Sequence, residues 1–153
     1  MKITTSQSGI DKCNCSVIRQ ASRRISRFYD AHLEPSGLKI TQFLTLAALY
    51  EMETATVNAL AERIDVERTA MGKMLGFLEK DGYLTVKPSS LDRRSRVVEL
   101  TSTGIRLFNT ALPLWEQAQK EFEQLNGTET TQKLINELKQ VVLGKQNSSA
   151  SDD

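Results

Sequence analysis

The chain has 153 residues, a formal net charge of +1, 39% hydrophobic residues and 25% charged ones. Such a length suits one domain, or a small domain with an added assembly region, and the composition is that of a soluble globular chain. The balanced charge excludes a histone-like coating of nucleic acid, and no apolar run approaches the roughly 18 residues of a membrane helix.

The first residues, MKITTSQSGIDK, lack the apolar core of a signal peptide, so a cytoplasmic address is expected. Residues 1–9 are expected to form a flexible tail. A long helix is expected from Ile10 to Leu33, where Ile18, Ala21, Ile25 and Phe28 recur at spacings of three and four. Pro35 and Gly37 end it. Arg19, Arg23 and Arg27 form a stripe on this helix, with Arg24 beside it. The stripe is either a solvated face or a set of contacts for phosphate or a ligand carboxylate. Cys13 and Cys15 lie near the helix start. Two residues apart on a helix, they point to different sides and cannot bridge unless the helix end unravels. In a cytoplasmic chain both are expected to be reduced. A Cys-x-Cys pair with its single histidine, His32, far along the chain is a weak metal signal, so neither metal nor cofactor is expected.

Thr41 to Met52 reads as a helix that is apolar nearly all round, through Phe43, Leu44, Leu46, Ala47, Leu49 and Tyr50, and so is expected to be buried. Thr54 to Thr56 starts the next unit. Val57 to Ile64 is a short amphipathic helix with Leu60, Ala61 and Ile64 on one face. After a break at Asp65-Val66, a second helix runs from about Glu67 to Asp81, and Gly82 closes it. Strand-like pieces follow at Leu84–Pro88 and Arg96–Leu100, joined by a polar tip from Ser89 to Ser95. Helix, turn, helix and a hairpin with a basic tip make a winged helix-turn-helix, a device for reading duplex DNA.

The faces of the second helix assign its residues. Ala70, Met71, Met74, Phe77 and Leu78 gather on one side, with Leu75 at the margin. Arg68, Thr69, Gly72, Lys73, Gly76, Glu79 and Lys80 take the other, which is free to face a major groove. Arg68, near the helix start, is placed to pair with guanine O6 and N7; Thr69 can bond a base or touch a thymine methyl; Lys73 suits a phosphate. Gly72 and Gly76 each weaken the helix by about 1 kcal/mol relative to Ala. They mark either a close approach of backbone to DNA or a weak helix held by tertiary contacts. At the tip, Arg93, Arg94 and Arg96 suit a narrow minor groove. Asp92 among them is expected to orient a neighbouring arginine through a charge-assisted bond. Residues 60–100 carry eight Lys/Arg against seven Asp/Glu, so DNA affinity has to come from placement rather than bulk charge.

Thr101 can cap a long helix to about Leu125, with Ile105, Phe108, Leu112, Trp115, Phe122 and Leu125 in a broken repeat and a kink expected at Pro113. A last helix is expected from Thr131 to Leu143, with Leu134, Leu138 and Val141 on one face. Residues 145–153 are small and polar, a second flexible tail. The first helix and the last two have more apolar stripe than a small reader domain can cover. Pairing with the same helices of a second chain would bury it. The expected organisation is therefore a mainly α fold with a small β-wing: a winged helix-turn-helix over 38–101, flanked by dimerisation helices at 10–34 and 102–144.

Leu60-Ala61-Glu62-Arg63, the helix exit Leu78-Glu79-Lys80-Asp81-Gly82-Tyr83-Leu84, Asp92-Arg93-Arg94-Ser95 and Leu100-Thr101-Ser102-Thr103-Gly104 together resemble the MarR family of winged-helix regulators. The resemblance spans about residues 13–143. It implies a homodimer that binds a pseudo-palindromic operator as repressor or activator and responds to a small molecule or oxidant. Glu67 stands where the family's recognition helix usually has Ser, and Ala70 and Gly72 where it has Ser or Thr. These departures bear on the operator sequence rather than on the mode of binding. An effector pocket like the family's would draw on Tyr29, His32, Phe43 and Trp115, unless these only pack the core. The segment from Cys15 through Ala21-Ser22-Arg23, Tyr29 and Leu33 to Gln42-Phe43-Leu44 is similar in register to the family's peroxide-sensing branch. That resemblance implies Cys15 as a sensing thiol and Tyr29 as one of the tyrosines around it. Arg19 and Ile40 replace others of that branch, and Cys13 and Cys15 can equally be inert. Arg19, one turn from Cys15, is a cation of the kind that favours a reactive thiolate.

An enzyme lacks its parts in this sequence: one His, no Gly-rich phosphate loop and no base beside a nucleophile. A winged helix that binds only protein would lack basic residues at the helix start and wing, whereas Arg68, Lys73, Arg93, Arg94 and Arg96 are all present.

Overall fold

A computed structural model describes residues 9–142. The chain runs through a 3₁₀ turn at Ile10–Lys12, then α1 (Asn14–Leu33), a second 3₁₀ turn at Glu34–Ser36, α2 (Ile40–Met52), β1 (Thr54–Thr56), α3 (Val57–Arg63), α4 (Arg68–Lys80), β2 (Leu84–Pro88), β3 (Arg96–Leu100), α5 (Ser102–Asn126) and α6 (Thr128–Lys139). It is a mainly helical winged helix-turn-helix, as the sequence implied. The described residues fall into two compact units, divided between Ala118 and Gln119.

In the first unit, α2 buries Phe43, Thr45, Leu46, Ala48 and Leu49, but not its whole circumference as expected, since Leu44 and Tyr50 are 40% and 50% exposed. An aspartate of α1 seats it, since Ile40 N donates to Asp30 Oδ1 at 2.7 Å. Its core continues through Leu60, Met71, Leu75, Leu78, Leu84, Val98, Phe108 and Ala111. The sheet has three strands in the order β1-β3-β2, all antiparallel. The sequence foresaw the β2–β3 hairpin; β1 is additional, and pairs Ala55 with Val98.

Local chemistry explains the junctions. Thr56 caps α3, its Oγ1 accepting from Ala59 N at 3.1 Å. The α3–α4 turn is made by Asp65 at φ 53°, a left-handed conformation that Asp tolerates better than most residues. At the end of α4, Gly82 has φ 80°, Gly82 N donates to Glu79 O and Tyr83 N to Leu78 O. This is the paired closure that favours glycine past a helix end. Thr101 then ties three elements together: its N donates to Tyr83 O, its Oγ1 donates to Gly82 O at 2.6 Å, and the same Oγ1 accepts from Gly104 N at 3.1 Å. Gly104 lies directly against the Tyr83 carbonyl, where a β-carbon would collide with backbone.

Three expectations change. The first helix starts at Asn14 rather than Ile10, because Ile10–Lys12 closes i to i+3 and Cys13 is extended at φ −75°, ψ 113°. Cys13 therefore stands outside the helix, and the argument from opposite helical sides does not apply to the pair. The buried stripe of α4 is Met71, Leu75 and Leu78 with Met74 half-buried, while Ala70 and Phe77 are exposed, Phe77 by 67%. The helix is rotated toward Leu75 because α3, β2 and the sheet contact that side. The last helix begins at Thr128 and ends at Lys139. Gly127 at φ 84° sets its start, and Leu143 and the two expected tails, apart from Gly9, lie outside the described residues. Pro113 sits inside α5.

The second unit contains the end of α5 and α6. Leu125, Leu134, Ile135, Leu138, Val141 and Val142 are exposed by 41% to 85%. In the first unit, α1 buries only Tyr29 and Leu33 and leaves Val17 and Ile18 nearly half exposed.

Candidate nucleic-acid interface

Two helix starts and the tip side of the wing meet around one concavity of about 470 Å³. Its lining includes Thr56, Val57 and Asn58 from the start of α3, and Arg68, Thr69 and Gly72 from the first turns of α4. Arg94, Ser95 and Arg96 complete it from the wing. The turn at Asp65 aims α4 and the Gly82–Thr101 lock aims the wing, so residues of α4 and of the wing that lie 22 or more apart in sequence share one surface. Thr56, Asn58 and Ser95 were not among the sequence candidates. The signal for Thr56 was available, since it precedes the first residue of a helix as a cap.

Each sequence candidate can now be placed. Arg68, Thr69 and Gly72 line the concavity, whereas Lys73 lies one helical step away on the exposed face. Gly72 and Gly76 are exposed, with no atom within 4 Å of where a β-carbon would stand. Core packing therefore does not demand either glycine. Arg94 and Arg96 line the concavity, and Arg93 is exposed at the tip. Asp92 organises the tip through backbone rather than through an arginine side chain. Its Oδ1 accepts from Arg94 N at 3.0 Å and its carbonyl accepts from Ser95 N at 3.0 Å. A short side chain bonding the amide two residues on is a common turn device.

Three of the seven acidic residues over 60–100 are engaged close to home. Glu79 accepts from Val86 N at 2.8 Å, Glu99 pairs with Lys87 at 3.8 Å, and Asp92 is committed to the turn. Among the described residues, no ion pair engages Arg68, Lys73, Arg93, Arg94 or Arg96. Five cations thus stand unneutralised, three of them lining one concave face, an arrangement suited to phosphates and base edges.

Elsewhere, Phe43 and Trp115 stack at 5.7 Å with their planes 21° apart. Tyr29 is buried beside Phe28, and His32 Nδ1 lies 2.9 Å from Phe28 O. Cys13 and Cys15 are exposed free thiols and line one concavity of about 360 Å³ with Ser16, Arg19, Gln20 and Arg23. Among the described residues there is no cluster of three metal-ligating side chains, and no helix is long and apolar enough to cross a membrane.

A family profile described as MarR family matches residues 36–95. The M. tuberculosis transcriptional regulator MosR, solved in complex with DNA, is 35% identical, covers 82% of this chain and 92% of its own, and superposes with a TM-score of 0.72. The chain belongs to the MarR family. Another relative is the organic hydroperoxide resistance transcriptional regulator of Bacillus subtilis. It is 29% identical over 118 residues, or 72% of this chain and 80% of that protein. E. coli MarR, solved with operator DNA, shares the fold at a TM-score of 0.78 over 93% of this chain and 99% of its own, with 20% identity. These relatives are named as regulators rather than as enzymes.

Proposed function

We propose that this chain is a sequence-specific, DNA-binding transcriptional regulator, acting in the cytoplasm as a homodimeric repressor that a small-molecule effector releases. The carrying observation is the concavity where Arg68, Thr69, Gly72, Arg94 and Arg96 converge with no acidic side chain in its lining. The MosR complex supports the reading, because a 35% identical chain of the same fold was solved on DNA. In this reading α4 enters the major groove with Arg68 and Thr69 at base edges. Lys73 meets phosphate, and Arg93, Arg94 and Arg96 follow the adjoining minor groove.

The dimer reading rests on the terminal helices at 10–34 and 102–144. Their unburied stripe of Val17, Ile18, Leu134, Ile135 and Leu138 is of the kind a second copy covers. Two heads would then read half-sites about one helical turn apart, roughly 34–36 Å. Tyr29, His32, Phe43 and Trp115 remain the proposed effector-facing set in this scheme. Selecting bound DNA from a random pool tests the central claim. A pseudo-palindrome with half-sites 10–10.5 bp apart is expected, whereas no enriched sequence would favour a protein-binding winged helix. Leu138→Glu tests assembly. Monomer in sedimentation with loss of tight DNA binding is expected, and an intact dimer would remove Leu138 from the interface.

A second reading, thiol-based sensing of an organic hydroperoxide by Cys15, is favoured by its exposure and by the concavity it shares with Arg19 and Arg23. The name of the Bacillus subtilis relative supports it. The thiolate would attack the peroxide oxygen, giving a sulfenic acid and releasing the alcohol. Loss of DNA binding after mild organic hydroperoxide in wild type, but not in Cys15→Ser, is expected. Binding that ignores the oxidant would make Cys13 and Cys15 inert.

A further inference from the structure

On the first unit, away from the basic concavity, a second cleft of about 380 Å³ is lined by Leu49, Tyr50, Glu53, Leu100 and Ile105. Its size falls within the range of small-molecule sites. The end of α2 supplies Leu49 and Tyr50, the end of β3 supplies Leu100, and the first turn of α5 supplies Ile105. Leu49 is fully buried and forms an apolar wall, whereas Tyr50 is 50% exposed and Ile105 38%. The polar character of the lining comes from Tyr50 and from Glu53.

Two features of Glu53 are unusual. It sits at φ 61°, ψ −54°, a conformation that residues with a β-carbon rarely adopt. Its carboxylate also has no partner among the described residues. Glu51, two residues earlier, is taken by Arg63 at 3.2 Å, and Glu99 by Lys87. Arg106, the nearest cation in sequence to Ile105, bonds Thr103 Oγ1 at 3.1 Å and does not line the cleft. An apolar wall, a half-exposed aromatic ring and one unpaired carboxylate complement a lipophilic organic cation. The ring face attracts positive charge through its quadrupole, and the carboxylate adds a direct charge.

The cleft also has a route into the assembly helix. Tyr50 contacts Phe108 at 4.7 Å, Phe108 stacks on Phe43 at 5.6 Å, and Phe43 stacks on Trp115 at 5.7 Å. Its Leu100 and Ile105 walls flank the Thr101–Gly104 lock that joins wing to α5. The geometry points to the Tyr50–Glu53 cleft as a binding site for an aromatic organic monocation, whose occupancy is felt by the wing root and by Trp115. The effector role rests on the regulator reading above; the binding itself does not.

The test uses the full chain and benzyltrimethylammonium, with benzyl alcohol and benzoate as neutral and anionic aromatic controls. Binding is followed by equilibrium dialysis and by emission of Trp115, the single tryptophan of the chain. Saturable binding of the cation alone is expected, with a change in Trp115 emission. A loss of about tenfold or more in affinity is expected in Glu53→Gln, and a several-fold loss in Tyr50→Ala. Thermal melts of both variants check that the fold is kept, and Glu53→Gln preserves shape at the strained position. Binding of benzyl alcohol as tight as that of the cation would overturn the site, as would undiminished binding in Glu53→Gln. Saturable binding that leaves the affinity for selected DNA unchanged would overturn the effector role. If no DNA is selected at all, the regulator reading fails while dialysis still decides the cleft.

Discussion

Leu75 and Leu138 are both leucines on amphipathic helices, yet Leu75 is 2% exposed and Leu138 44%. Leu75 belongs to α4, whose apolar stripe closes against α3 and the sheet within one chain. Leu138 belongs to α6, whose stripe keeps Leu134, Ile135 and Leu138 open to solvent. The same periodicity thus serves two ends. In the reader head it completes a core; in the terminal helices it leaves an exposed apolar surface, the one assigned to a second chain in the proposed dimer. The difference teaches that an amphipathic helix announces a buried face without naming what buries it.

The largest expected effect separates these two leucines. Leu75→Ala should destabilise the fold by about 2–5 kcal/mol in urea melts, as deletion of a buried leucine does. Leu138→Ala should change the stability of a single chain by no more than about 0.5 kcal/mol. Instead it should raise the concentration at which the oligomer dissociates. Equal losses at the two sites, independent of protein concentration, would erase the contrast.

Gly104→Ala comes next. The new β-carbon would meet the Tyr83 carbonyl, which is backbone and already holds Thr101 N. An overpacking penalty of about 1–3 kcal/mol is expected, with the wing hairpin losing hydrogen-exchange protection first. A neutral melt would show that α5 can shift away from the hairpin without penalty.

Arg68→Ala should weaken binding to a selected operator by about 1–3 kcal/mol and relax preference at one base position per half-site. Lys73→Ala should weaken all sequences alike and lower the salt slope by about one. Identical behaviour of the two variants on specific and random DNA would end the division of labour along α4.

The smallest effect belongs to Gly72. Its β-carbon position is open, so Gly72→Ala should stabilise the helix by about 0.8–1 kcal/mol. If backbone approaches DNA there, binding should fall while stability rises. Unchanged binding would assign Gly72 to tolerance alone.

Local chemistry made much of this protein legible in its sequence. Helix stops were read from Gly37 and Gly82, the start of α5 from Thr101, and the hairpin from two strand-like pieces joined by a polar tip. These signals act over a few residues, so neighbouring sequence contains them in full. The cations of the candidate interface were readable for the same reason, as side chains on one exposed helical face and one loop. The tertiary structure decided what depends on partners far along the chain. It turned Leu75 inward and Phe77 outward, because α4 answers to α3 and the sheet rather than to its own apolar count. It added β1, since three residues become a strand only when β3 lies beside them. It committed Asp92 to a turn, and it left Glu53 unpaired beside Tyr50 by placing the end of α2 against the start of α5. Periodicity fixes which residues share a face; only the packed chain fixes what that face meets.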